Sequence, residues 1–331
     1  VKIMKVQPVG IIGTGKYVPE RILTNQELEQ MVETNDEWIV TRTGIKERRM
    51  AAAAEATSDL AFEASKKAIE AAGLTAKDID LIIVATITPD MFFPSTACLL
   101  QDKLGAPQAA AFDLSAACSG FIYGLATATS MISTGLYKHV LVVGAETLSR
   151  ITDYTDRNTC ILFGDGAGAV VLGHVEEGRG FKSFELGADG SGGELLKVGG
   201  GGSRMPASAE SLSEKQHFIH MAGNDVFKFA VRIMGSAAEE ALAKAGISKE
   251  EIDLLVPHQA NIRIIQSAMN RLRLSEDKAM INLHRYGNMS AASIPVALAE
   301  AVEQDRVKKG DCLVFVGFGG GLTWGASVLI W

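Results

Sequence analysis

Apolar runs of about four or five residues, set off by an acidic turn or closed by glycine, recur along the chain and predict strands. "AGLTAKDIDLIIV" from Ala72 and "AGISKEEIDLLVP" from Ala245 each read as a helix end, a glycine stop, a charged turn and a strand. The same offset of 173 residues carries "VLVVG", ending at Gly144, onto "LVFVG", ending at Gly317. It also carries "SAACSGFIYGLA" from Ser115 onto "NMSAASIPVALA" from Asn288. One register holding through three matches marks an internal duplication, with one half over residues 1–175 and the other over 176–331. Two copies of mixed strands and helices predict an α/β fold in layers α-β-α-β-α, two mixed sheets around buried central helices.

Residues 114–137 carry no charged side chain and are long enough for a membrane span, but hydroxyls at Ser115, Ser119, Thr127, Thr129 and Ser130 interrupt them. A helix of a globular core, touched by protein on every face, fits better. The twin segment after Asn288, "AASIPVALAEAVEQ", starts equally apolar, so the equivalent loop of each half delivers one polar group, Cys118 or Asn288, to a central seam.

At 331 residues and 47% hydrophobic side chains the chain can build a sizeable core. A net charge of −7 argues against a nucleic-acid binder, which needs clustered cations. The opening "VKIMKVQPVGIIGTG" lacks a signal-like apolar run, which predicts a cytoplasmic protein. The four cysteines, Cys98, Cys118, Cys160 and Cys312, form no C-x-x-C pair, so neither a zinc cluster nor a disulfide framework is expected. His217 and His220 in "HFIH" have no second ligand pair near them in sequence, and no metal is expected there.

Cys118 sits where the extended run "AAAFDL" turns into the uncharged helix. Unpaired N–H groups and the positive dipole end at a helix N-terminus would favour its thiolate and make it a nucleophile. The competing reading is a small buried hydrophobe. His258, in "LLVPHQANIR", directly follows an apolar strand, where an α/β fold opens its crevice. Asn288, in "HRYGNMSAAS", is either a turn residue after Gly287 or an amide donor opposite Cys118. "GFGGGLTWG" from Gly317 reads as a hairpin turn that can also bring backbone N–H groups to a small site. "GIIGTG" has the wrong spacing for a dinucleotide fingerprint and opens no helix, and "FGDGAGAVVLG" from Phe163 reads mainly as a tight turn between strands.

Together "AACSGF", "VPHQAN", "GNMSAAS" and "GFGGGLTWG", in this order, resemble the β-ketoacyl-acyl carrier protein synthase III family. The resemblance runs nearly end to end, through "TNDEWIVTRTGIKER" and "MAGNDVFKFAV". It implies the duplicated thiolase-like fold and a decarboxylative condensation of a short acyl-CoA primer, acetyl-CoA by expectation, with malonyl-acyl carrier protein, opening fatty acid synthesis. Cys118 would carry the acyl group, the N–H groups of Cys118 and Gly320 would hold the oxyanion, and His258 and Asn288 would bind the malonyl thioester oxygen. No metal or redox cofactor is implied, since acyl-CoA is a substrate.

The resemblance further implies that Trp38 and Arg157 sandwich the adenine of CoA, that Arg42 meets phosphate, and that Asn224, Phe227 and Asn261 line the pantetheine arm. Arg263 and Lys228 would meet the acidic carrier protein, and Phe93 would reach across a homodimer interface to bound the partner's acyl pocket. Residues 195–216 are glycine-rich and polar, longer than the resemblance calls for, and are expected to form a mobile surface loop near the tunnel mouth. Two rivals share these residues: a condensing enzyme of polyketide metabolism, and a non-catalytic acyl-CoA-binding protein.

Overall fold

The computed structural model describes residues 7–331. The reading of the extreme N-terminus as free of a signal-like run falls partly on residues 1–6, outside those described. A five-stranded sheet has the order Val9–Tyr17, Asp165–His174, Val140–Thr147, Leu81–Ala85, Ala110–Leu114. A four-stranded sheet follows the order Leu254–Pro257, Cys312–Gly319, Thr323–Ile330, Gly180–Ala188. Both mix parallel and antiparallel pairs.

The period-two pattern of the strands decides the layers. Leu81 and Ile83 point to a core shared with Phe121, Leu125, Ile294, Leu298, Leu313 and Phe315, which lies between the sheets. Ile82 and Val84 point the other way, onto the helix Thr57–Ala71 through Leu60, Ala64 and Ala68. Val314 and Val316 likewise face the helices Gly223–Ala245 and Ile262–Leu272. The central layer is the pair Gly120–Ser133 and Ser293–Glu303. Pro295 stands in the first turn of the second, where no N–H is needed for the helix ladder.

The offset of 173 holds in the backbone. The short 3₁₀ turns Ala117–Ser119 and Ser290–Ala292 precede the two central helices, and Ala117 and Ser290 share a φ of 45°. The strand Ala110–Leu114 has no full counterpart; the bridge between Leu255 and Ala279 is what the second half keeps of it.

Three expectations change. The helix Gly120–Ser133 is not enclosed on every face: Ser130 is exposed and Thr127 half-buried, and their hydroxyls bond back to Ala126 O and Tyr123 O. "FGDGAGAVVLG" is mostly the strand Asp165–His174, not a turn. Its glycines serve close packing: a Cβ on Gly168 would lie 2.6 Å from Pro295 C, inside the central helix. Residues 195–216 lie at the surface beside the site, as expected, but are partly ordered into elements: Leu196–Val198 pairs with Ile219–Met221, Ala209–Ser213 is a helical turn, and Lys215 bonds Asp153 at 2.8 Å, while 199–208 between them is irregular and largely exposed. Among the described residues no helix is long and apolar enough to cross a membrane.

Candidate active site

Cys118 is buried on its 3₁₀ turn, and that turn is fastened to the hairpin between Cys312–Gly319 and Thr323–Ile330. Ser119 Oγ bonds both Ala116 O and Thr323 Oγ1 at 2.8 Å, and Thr323 Oγ1 donates to Ala116 O at 3.1 Å. Gly319 permits the approach, because a Cβ there would stand 2.5 Å from Cys118 N. Gly320 lines the same site on the hairpin, next to Ala117 and Cys118.

His258 follows the strand Leu254–Pro257 and donates its backbone N–H to Val316 O at 2.8 Å. Its ring is buried and meets Phe318 edge to face at 5.8 Å. Burial pushes the imidazole down to about 3, so it is neutral at physiological pH. Nδ1 has no partner, and a proton there would have no acceptor, which leaves Nε2–H as the donor. Asn288 is fixed by Asn288 N–H to Leu162 O at 2.8 Å, and its Oδ1 accepts from Ser290 N at 2.8 Å. With the amide oxygen so occupied, the NH₂ end is the free one.

These elements enclose one cavity of about 100 Å³, lined by Cys118, His258, Asn288, Phe227, Asn261 and Phe318. A second cavity, about 360 Å³, lies on the other side of Cys118 among Ile87, Leu148, Phe163, Ile219, Ser290 and Thr323. Leu196, from the glycine-rich segment, borders both, so that segment walls the site. Burial, the largest influence on Cys118, pushes its thiol up to about 12, against the lowering expected from the helix that follows.

The residues expected to hold CoA divide into two groups. Phe227 and Asn261 line the smaller cavity, but both polar ends of Asn261 are engaged: Oδ1 caps the helix Ile262–Leu272 at Arg263 N, and Nδ2 donates to Arg42 O at 2.8 Å. Asn224 stands exposed in the first turn of Gly223–Ala245 and does not line that cavity. Arg42 and Arg157 both lie on the Trp38 ring, 4.6 and 4.7 Å from its centroid. An adenine between Trp38 and Arg157 therefore requires Arg157 to swing off the indole. Arg263 is exposed and rests on the Phe227 ring at 4.9 Å, and exposed Lys228 is 3.4 Å from Asp225. Phe93 is 85% exposed beside Phe92 at 83%.

Sequence reasoning missed three polar residues behind the site. Gln259, next to His258, donates to Pro257 O and Met280 O and accepts from Asn282 N, tying the His258 segment to the chain leading to Asn288. Glu146, at the end of Val140–Thr147, is fully buried and accepts from Thr88 Oγ1 at 2.6 Å and Thr86 Oγ1 at 3.2 Å. Ser290 Oγ is buried with no hydrogen bond of ordinary geometry, yet lies close enough to Cys118 and Glu146 to favour the charged form of each. The acidic end of an apolar strand, "VVGAET", was the available signal for Glu146.

Two packed α/β halves that close around a cysteine, a neutral histidine and an asparagine define a thiolase-like condensing enzyme. The model of 3-oxoacyl-(acyl-carrier-protein) synthase III matches residues 112–190, and that of its C-terminal part matches 242–331. The beta-ketoacyl-(acyl-carrier-protein) synthase III of Desulfitobacterium hafniense is 60% identical over 323 residues, 98% of either chain. The crystal structure of the Thermus thermophilus synthase III is 51% identical with a TM-score of 0.92, covering 97% of this chain and 99% of that one. A priming β-ketosynthase of a polyketide pathway is 34% identical with a TM-score of 0.91, covering 100% of this chain and 98% of that one. The chain belongs to the β-ketoacyl-(acyl-carrier-protein) synthase III family.

Proposed function

We propose that Cys118 takes a short acyl group from acyl-CoA and passes it to the carbanion formed from malonyl-acyl carrier protein. The carrying observation is that Cys118, a neutral His258 and Asn288 line one cavity. In the first half-reaction Sγ attacks the thioester carbon, CoA thiol leaves, and backbone N–H groups of Cys118 and Gly320 hold the oxyanion. In the second, the His258 Nε2–H and the Asn288 amide donate to the malonyl thioester oxygen, where negative charge develops as CO₂ departs. A neutral histidine suits this role, because it donates a hydrogen bond without presenting a full charge to the departing carboxylate. The new carbanion attacks the acyl carbon on Sγ, the carbon–sulfur bond breaks, and the sulfur takes up a proton from solvent to regenerate the thiol. Departure of CO₂ drives the step, so the chemistry calls for no metal or redox cofactor.

Acyl-CoA enters past Trp38, Arg42 and Arg157, with Phe227 and Asn261 along the pantetheine arm, and the cavity of about 360 Å³ has room for a short acyl chain. Exposed Arg263 and Lys228 offer cations to the carrier protein. The unpaired edge of Ala110–Leu114, with exposed Met91, Phe92 and Phe93, supports a homodimer, and the chain is expected to sediment at twice its monomer mass. Four free cysteines suit a reducing, cytoplasmic setting.

The two half-reactions separate experimentally. His258→Ala and Asn288→Ala are expected to keep acyl transfer to Cys118 while condensation with malonyl-carrier falls roughly 10²–10³-fold, the loss typical of a removed oxyanion donor. Condensation at wild-type rate in both variants would contradict the assignment. Preference for a polyketide-type primer over acetyl-CoA in the same assay would favour the relation to priming ketosynthases.

A further inference from the structure

A buried Cys118 thiol must lose its proton as it attacks, and burial, which pushes that thiol up and the His258 imidazole down, favours an acceptor other than His258. Behind Cys118 the two halves place two groups that the condensation does not use. Ser290 occupies the position in the second half that Ala117 holds in the first, with the same positive φ. That backbone turns its hydroxyl into the seam, where it borders the larger cavity beside Cys118 and has no hydrogen bond of ordinary geometry. Glu146 lies at the end of the strand Val140–Thr147, whose Gly144 packs on Ala291 of the Ser290 turn; it has no exposure to solvent, and two threonine hydroxyls and the Ile87 N–H hold its carboxyl group in place.

We propose that Glu146 and Ser290 form a buried relay that receives the Cys118 proton while Sγ attacks the acyl thioester. This rests on the reading of Cys118 as the acyl carrier. The Cys118 proton passes to Ser290 Oγ as the Ser290 proton passes to a Glu146 oxygen. The bond from Sγ to the acyl carbon forms, and the bond from that carbon to the CoA sulfur breaks. The proton held by Glu146 returns through Ser290 to the leaving thiolate, so CoA departs as a thiol and the relay is reset. Ser290 borders the same cavity as the reacting sulfur; Glu146 acts through it and is the positioning residue.

Burial raises the Glu146 carboxyl to about 7, which gives it the basicity that a proton acceptor needs near neutral pH while a good fraction stays ionised. Cys118 is the titratable group facing it across Ser290. Titratable groups on the surrounding elements are engaged elsewhere: Asp165 by Ser149 and the Ala51 N–H, Asp113 by the Thr96 and Ala97 N–H groups, Asp59 by Lys103, Glu300 by Arg285. His258, across the cavity, stays neutral.

The test follows the single-turnover rate of acetyl uptake from acetyl-CoA onto the full chain, read by intact mass between pH 5.5 and 9.5. In the wild type the rate should rise through about pH 7 and level off. Glu146→Gln and Ser290→Ala should each lower it roughly 10²-fold at neutral pH, and the remaining rate should keep climbing with pH without levelling. A wild-type rate that climbs tenfold per pH unit throughout would overturn the relay without any variant. So would a folded Ser290→Ala protein with the wild-type rate and profile. If the wild type takes up no acetyl or longer acyl group at any pH, it is the acyl-carrier reading of Cys118 that fails, and the relay falls with it.

Discussion

Burial acts on His258 and Glu146 in opposite senses, because it penalises an imidazolium in one and a carboxylate in the other. His258 stays neutral in the fold down to about pH 3, while the unfolded chain protonates it near its ordinary 6.5, so its contribution to stability is lost as pH falls between those values. Glu146 keeps a proton in the fold up to about pH 7 that the unfolded chain releases near 4.5, so its contribution is lost as pH rises through that window. Glu146→Gln removes the second dependence and leaves the first. The Tm of the variant is therefore expected to gain on the wild type between pH 4.5 and 7.5, by the equivalent of at most about 3 kcal/mol. A difference that stays constant across that range would mean that Glu146 titrates normally in the fold. Of these residues His258 was legible in the sequence because core packing explains a histidine at a strand end poorly, while Cys118, which alone also reads as a small buried hydrophobe, was legible through the motifs around it. Ser290 and Glu146 were not, because serine and glutamate are common everywhere and their meaning depends on the two halves being packed together.

Elements reach the seam through glycines in matched places. Gly144 and Gly317, 173 residues apart, lie under the two turns before the central helices: a Cβ on Gly144 would meet Ala291 O at 2.2 Å, whereas one on Gly317 would stand 3.4 Å from Cys118 O, an ordinary contact. Gly319 has less room, since its Cβ would stand 2.5 Å from Cys118 N. Gly319→Ala is expected to cost about 1–3 kcal/mol in denaturant unfolding and to slow acyl uptake by shifting the Cys118 turn. Wild-type uptake and stability in that variant would show that the turn and hairpin part easily. The same packing explains a misreading of the sequence. Gly166 and Gly168 look like turn residues beside Asp165, whereas the contact that requires them, with Met289 and Pro295, comes from residues more than a hundred positions away in the chain. The repeated strands and central helices were legible because their apolar period is local. The wall made by Leu196 was hidden by the glycines and polar residues that follow it.

At the scale of the whole molecule, duplication accounts for both the fold and the location of the site. Each half brings one turn to a common seam, and divergence between the equivalent turns gives a nucleophile from one half and a hydrogen-bond donor from the other. The loss of a fifth strand from the second sheet leaves the two halves unlike at their edges, and the first half retains the open edge of Ala110–Leu114 and the exposed Phe92 and Phe93. The fold and family could be inferred from the chain before any coordinates, because four motifs in fixed order are specific, while the positions of Arg157 on Trp38 and of Asn224 in solvent could not. All of this depends on Cys118 carrying the acyl group. The most direct measurement is the intact mass of the protein after incubation with acetyl-CoA, beside a Cys118→Ala variant. The account predicts one added acetyl group in the wild type and none in the variant; equal labelling of both proteins would contradict it.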